Sequence, residues 1–341
     1  MSPVFSIVIP GFNRPGPLKY TLRSAAAAAA RLPAGDVEIV LVDDGSSPPL
    51  VEQLAGFDAS HAIIHLRQRN QGSIVARLAG FSAARGDFVL FLDSDDLIHP
   101  DKLVLHLQAA RRETADITYD DMADAKLGPD FSAVFQAGTR LGAAANTHDL
   151  LLRVQPPPHG PIFRRDFLQR ALAGPAPLVP PDRRVDAAGD VWLYYNLITF
   201  PARIAKVDAP LTAIGPHEET RYSVHWEKLG AASLRVAEAF QQACSETEVT
   251  LPARRAVGEV AFLSWRRLPH DFHPAYSARL LRVWRRSPKG PVSALGGGGF
   301  SMLARLVGPV VAGAILRRLR GNSYATCRTL DDEALGRLLE T

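Results

Sequence analysis

Two short acidic clusters constrain this chain more than anything else in it, because each rides out of an apolar run. Asp43-Asp44-Gly45-Ser46 follows Glu38-Ile39-Val40-Leu41-Val42, and Asp93-Ser94-Asp95-Asp96 follows Asp87-Phe88-Val89-Leu90-Phe91-Leu92. Both runs are short and rich in β-branched or aromatic residues. They read as strands buried on both faces of a parallel sheet. Open α/β sheets bind ligands in the crevice outside the carboxyl ends of their strands. Several carboxylates in one crevice repel one another unless something positive lies between them. A divalent cation carrying a nucleoside diphosphate would meet that need.

The surrounding pattern agrees. Strand-like runs at 5–10, 37–42, 61–66 and 88–92 alternate with helical stretches at 15–31, 73–85 and 102–112. This βαβα order implies a doubly wound, mostly parallel sheet. Residues 117–119 read as one more strand. From 128 to 181 the prolines at 156–158, 175, 177, 180 and 181 break the pattern into loops with short elements. An apolar helix is expected over 190–200 and a strand pair over 205–214. After Pro216 the chain reads as helical and arginine-rich, interrupted by Gly296–Gly299. The expected division is a nucleotide-binding and catalytic domain over 1–222 and a helical region over 223–341.

Composition narrows the class. Hydrophobic residues make up 47% and charged residues 22% of 341, the balance of a soluble globular protein. Cys244 and Cys327 have no metal-ligand spacing and fit a reducing compartment. Met1-Ser2-Pro3 leads straight into a strand without a basic leader, and no run reaches the roughly 18 apolar residues of a spanning helix. A cytoplasmic location is expected. Charge is uneven: residues 251–320 carry twelve arginines and Lys289 against Glu259 and Asp271, a net +11, so the remainder carries −7. The basic stretch has two readings. One is a peripheral foot on the anionic inner face of a membrane, aided by the apolar residues of 300–319. The other is a solvated face covering the core. No nucleic-acid module accompanies the basic residues, so nucleic acid is not the expected partner.

Taken together, the motifs resemble one family. Ser6-Ile7-Val8-Ile9-Pro10-Gly11-Phe12-Asn13-Arg14 resembles the opening strand of the family-2 glycosyltransferases of GT-A fold. Val42-Asp43-Asp44-Gly45-Ser46-Ser47 resembles their second strand tip. Asn70-Gln71-Gly72 through Arg77, then Gly86-Asp87 through Asp96, resemble the approach to their DxD motif. Order and spacing match over roughly the first 110 residues. The resemblance implies an inverting, metal-dependent transfer of one sugar from a nucleoside-diphosphate sugar to a glycan or lipid-linked glycan acceptor. It assigns Pro10, Phe12, Asn13, Asp43, Arg77, Asp93, Ser94 and Asp95 to the donor. Asp93 and Asp95 would hold Mn²⁺ or Mg²⁺, and His217 matches a histidine that some relatives place on the metal. Gly189-Asp190 resembles the family's Glu-Asp motif, with Asp190 the general base and glycine in place of the glutamate. Inverting transfer needs such a carboxylate across the sugar from the leaving diphosphate, and a helix N-terminus favours its ionised form. The Gln-x-x-Arg-Trp motif of processive relatives is absent, so one sugar per encounter is expected.

Blander roles stay open for each residue. Asp43 and Asp190 suit helix N-caps, Arg77 a solvated helix, and His217 or His159 an ordinary loop. Two other functions compete. A haloacid-dehalogenase-type phosphatase also places Asp-x-Asp after a strand, but it leaves Asp43-Asp44 idle. A nucleotide-sugar-binding assembly subunit without a base is kept alive by Gly189.

Overall fold

The computed structural model describes residues 2–172, 177–217 and 225–339. Among these, strands β1 (Phe5–Gly11), β2 (Val37–Asp43), β3 (Ile63–Arg67), β4 (Phe88–Phe91), β5 (Leu97–Ile98), β6 (Ile117–Leu127), β7 (Ala133–Ala137), β8 (Ile162–Arg164) and β9 (Ile204–Ala213) form one sheet. Its order is β3-β2-β1-β4-β8-β6-β9-β5, with β7 paired to β6. The first four strands are parallel, as is β6 with β9. Strands β8, β7 and β5 enter antiparallel. The carboxyl ends of β1, β2 and β4 therefore share one edge, which brings Phe12, Asp43 and Asp93 to the same crevice.

The helices are α1 (Pro15–Ala29), α2 (Leu50–Gln53), α3 (Ser73–Ala83), α4 (Lys102–Arg112), the single turn α5 (Thr147–Asp149), α6 (Arg165–Leu172) and α7 (Gly189–Leu197). They continue with α8 (Trp226–Ala243), α9 (Leu251–Arg267), α10 (Pro274–Arg286), α11 (Gly298–Val307), α12 (Pro309–Arg320) and α13 (Asp332–Leu339). Side chains of a strand alternate between faces, and the core divides accordingly. Phe5, Ile7 and Ile9 of β1 pack with Leu18 and Leu22 of α1 and Leu103 of α4. Val8 and Phe91 face the other way, into a core continuous with Trp192 of α7 and with Phe240, Phe262 and Trp265 of α8 and α9.

The structure differs from expectation in two places. The strand foreseen at 117–119 runs on to Leu127 as β6. The strand pair expected over 205–214 is instead the single strand β9, which ends at Ala213 and whose partners are β6 and β5. The span 128–181 is, as expected, loops with short elements, β7, β8 and α6 among them, and Ile162 and Phe163 are fully buried in the sheet. Pro175 and the expected boundary at 222/223 lie outside the described residues.

Candidate active site

Pro10 opens the crevice. Even-numbered residues of β1 turn their backbone toward β4: Phe88 N–H reaches the Val4 carbonyl and Leu92 N–H the Val8 carbonyl, both at 2.9 Å. The next rung would need a donor on Pro10, which has none. The chain after Leu92 is released and turns as Asp93-Ser94-Asp95-Asp96. At the β1 tip, Asn13 adopts φ 52°, a conformation asparagine tolerates. Its backbone N–H donates to Ser46 Oγ and its Oδ1 accepts from Ser47 N–H, each at 2.9 Å. Phe12, just beyond β1, is 42% exposed at the same edge.

The β2 acids build the floor. Asp43 accepts from Ser46 N–H (2.8 Å) and Leu50 N–H (3.0 Å), with Arg67 Nε at 3.4 Å. It is 5% exposed, so it organises its own turn. Asp44 accepts from Gln71 N–H (2.9 Å), Gly72 N–H (2.8 Å) and Gln68 Nε2 (2.7 Å). This fixes the entry to α3. Asp186 completes the mooring by accepting from Ser73 N–H, Ile74 N–H and Ser73 Oγ, all at 3.0 Å. Two acids from distant stretches thus occupy the donors of one helix N-terminus.

Arg77 of α3, so aligned, pairs through Nη2 with Asp93 Oδ1. The guanidinium is buried, and the negative charges of Asp93, Asp190 and Asp186 hold it protonated. Asp190 occupies the first turn of α7. Burial pushes its carboxyl above the usual range and the charge of Asp93 adds to this, while backbone N–H groups and Arg77 oppose. Gly189 has a local cause: a Cβ there would stand 2.7 Å from Arg77 Nη1. Arg77 occupies space that a side chain at 189 would need.

On the opposite wall Arg14 Nη1 reaches Asp95 Oδ2 at 3.0 Å. Asp96 is turned inward, with its Oδ1 accepting from Gly215 N–H at 3.0 Å and its Oδ2 3.1 Å from His159 Nδ1. The His159 ring is fully buried and faces Asp96 and the Ala213 carbonyl. Pairing of β5 with the end of β9 lays residues 213–217 across the acidic turn. A Cβ on Gly215 would lie 2.0 Å from the Asp95 carbonyl oxygen and 2.8 Å from His217 Nε2. His217 does fold back onto the site.

The structure therefore gathers Phe12, Asn13, Arg77, Asp93, Ser94, Asp95, Asp190 and His217 around one crevice, with Asp43 and Pro10 shaping it from below. Sequence reasoning missed Asp186, whose neighbours Arg183-Arg184-Val185 carry no motif. It also gave no partner for Arg14, whose pairing with Asp95, eighty-one residues away, only the fold reveals. No three His, Cys, Asp or Glu side chains among the described residues form a ready metal cage. The donor set still suits a hard divalent cation, which binds through one or two carboxylates and completes its shell with phosphate oxygens and water. Arg77 Nε and Nη1, buried without a hydrogen-bond partner, suit an anion brought with it.

Comparison with known proteins gives this geometry a family. Residues 6–155 match the family described as Glycosyl transferase family 2. The undecaprenyl-phosphate 4-deoxy-4-formamido-L-arabinose transferase of Pseudomonas fluorescens (strain SBW25) is 38% identical over 180 residues, 49% of each chain. The putative glycosyltransferase EpsH of Bacillus subtilis (strain 168) is 34% identical over 116 residues, 33% of this chain and 32% of that one. The chain thus aligns with half or less of the length of these curated relatives. Among solved structures, S. aureus TarS 1–349 in complex with UDP-GlcNAc superposes with TM-score 0.61 at 16% identity, covering 94% of this chain and 93% of that one. The mannosyltransferase PcManGT from Pyrobaculum calidifontis, in complex with GDP-Man and Mn²⁺, gives 0.55 at 16% identity, covering 94% and 87%. The fold is of GT-A type, and residues 6–155 carry the match to the family-2 glycosyltransferases.

Proposed function

We propose that the chain is an inverting, divalent-metal-dependent glycosyltransferase that moves one sugar from a nucleoside-diphosphate sugar to the hydroxyl of a glycan or lipid-linked glycan. One observation carries the reading. A buried guanidinium, Arg77, pairs with a strand-tip acid, Asp93, and its charge extends to a helix-tip acid, Asp190. The first acid belongs to the leaving side of a displacement, the second to the attacking side. Asp190, held above the ordinary carboxylate range, is tuned toward accepting a proton from an acceptor hydroxyl. Mn²⁺ or Mg²⁺ would be held by Asp93 and Asp95, with the His217 imidazole close by. It would supply electrostatic stabilisation of the departing diphosphate. Arg14 and Arg77 orient the two carboxylates, and Phe12 offers an exposed ring to a base or sugar. The donor and catalytic groups lie within 1–222, with 223–341 an appendage.

A lipid-linked acceptor agrees with the undecaprenyl-phosphate transferases among the relatives and with a peripheral position on the cytoplasmic face of a membrane. Among the described residues no helix is long and apolar enough to cross one. The assembly-subunit alternative rested on Gly189, and contact with Arg77 gives that glycine a packing reason. Calorimetric titration with UDP, GDP, CDP and dTDP, each with and without Mn²⁺, tests the reading. One nucleotide should bind, with affinity raised at least tenfold by Mn²⁺, and Asp95→Asn should remove that gain. Equal affinity with and without metal for every nucleotide would overturn metal dependence.

A further inference from the structure

Helices α11 and α12 present an apolar ridge. Met302 and Leu306 lie four residues apart on α11, and Val311, Ile315 and Leu319 repeat at the same interval on α12. Residues so spaced share one helix face. That face points outward: Met302 is 68%, Leu306 78% and Leu319 76% exposed. The inward face is fixed independently. Phe300, Ala304 and Ala312 are buried, and a Cβ on Gly313 would stand 2.4 Å from Trp265 Cζ3. Arg317 lies over the Trp265 ring, 5.1 Å from its centroid, and donates to the carbonyls of Leu268 and Pro269. The outward orientation is therefore set by packing, and monomeric proteins rarely leave so continuous an apolar strip without a partner.

The charge around the strip selects the partner. Arg305, Arg318 and Arg320 are exposed on the same two helices. Residues 291–330 contain no aspartate or glutamate. A second copy meeting ridge to ridge would bring these arginines against one another with no carboxylate on either helix. An anionic bilayer supplies both complements, acyl carbon for the ridge and headgroup charge for the arginines. Each helix is short, α12 being about 18 Å at 1.5 Å per residue, so the pair would lie along the interface rather than across it.

We propose that α11 and α12 form an in-plane docking surface for an anionic lipid bilayer, with Met302, Leu306, Val311, Ile315 and Leu319 inserted and Arg305 and Arg318 at the headgroups. The inference deepens the reading of a membrane-borne acceptor and rests on it.

Flotation of the full chain with vesicles of phosphatidylcholine alone, or mixed with phosphatidylglycerol, tests it. The native chain should float with the anionic vesicles at low salt and at least tenfold less with the neutral ones. The L306E/L319E variant should lower partitioning at least tenfold, and R305Q/R318Q by roughly fivefold per arginine. A native chain that stays with the pellet, or an L306E/L319E variant that floats as well as native, would overturn the proposal. So would light scattering that finds a dimer abolished by L306E/L319E, since a second copy would then cover the ridge. R305Q/R318Q decides the matter should the double glutamate variant misfold. Nucleotide titration on the same preparations reports separately on the catalytic reading, because none of these residues lies in the crevice.

Discussion

At the scale of the residue, the guanidinium of Arg77 and the burial of Asp190 decide what kind of acid Asp190 is. Its carboxyl is raised by desolvation first and by Asp93 second, with Arg77 and helix N–H groups opposing. A folded pKa above the unfolded one means that ionisation costs stability. The folded state is favoured at pH below the unfolded value and loses that advantage as pH rises through the folded value. Asp190→Asn removes the ionisable group. Turnover should fall by about 10²–10⁴-fold with nucleotide affinity nearly unchanged, and the melting temperature at pH 7 should rise. Single-turnover assays and thermal melts on the same variant check both halves, and loss of donor affinity would make Asp190 structural. Asp93 and Asp95 were legible in the sequence because they follow a strand-like run, whereas Arg77 and Asp190 were named by the family resemblance. Asp186 was not. Its role is to hold Ser73 and Ile74, more than a hundred residues away, and nothing local in Arg183–Ala188 encodes that partner.

At the scale of the element, β6, β9 and α4 are pinned together beneath the site by one ammonium. Lys102 Nζ donates to Asp120 Oδ1 (2.6 Å), the Gly160 carbonyl (2.8 Å) and Thr212 Oγ1 (2.8 Å), so all three hydrogens are used. Lys102 and Asp120 are both fully buried. A buried pair can be a poor source of net stability, but removing one member leaves the other uncompensated. Lys102→Met should therefore cost about 3–5 kcal/mol, seen as a fall in the urea midpoint. The K102M/D120N double variant should recover part of it. The existence and order along the chain of β1 to β4 and of α1, α3 and α4 were readable from periodicity, while the single turn α2 was not. The second half of the sheet was not, because β8 has three residues and β5 two, too few to show a period of two. Strand β6 looked short because its carboxyl half, Asp124-Ala125-Lys126-Leu127, is half-solvated and reads as polar loop.

At the scale of the whole molecule, one apolar core runs from Val8 and Phe91 of the sheet through α7 to α8 and α9, so the helical half braces the face of the sheet from which Arg77 and Asp190 emerge. The polar groups sealed into this body make it sensitive to acid. Burial and the neighbouring Lys102 push His106 down to about 4, and burial does the same to His159. Unfolded histidine takes up its proton near 6.5. With the folded pKa depressed, stability is complete above about 6.5 and is lost as pH falls from there toward 4, by up to about 1.4 kcal/mol per unit for each ring. Urea midpoints should therefore drop between pH 7.5 and 5, and His106→Gln should reduce that drop by about half; a midpoint unchanged with pH would refute it. The proline at the tip of β1 acts on the same scale. Were the sheet to zip one rung further, the β4 tip would advance roughly 3.3 Å along its neighbour and draw the first acid into the pleat. Pro10 cannot donate the hydrogen of that rung, so the ladder there keeps at most the bond that its carbonyl could accept. The separation at the mouth thus has a covalent contribution beside the weak contacts, and it should respond less to salt than a gap held by ion pairs alone.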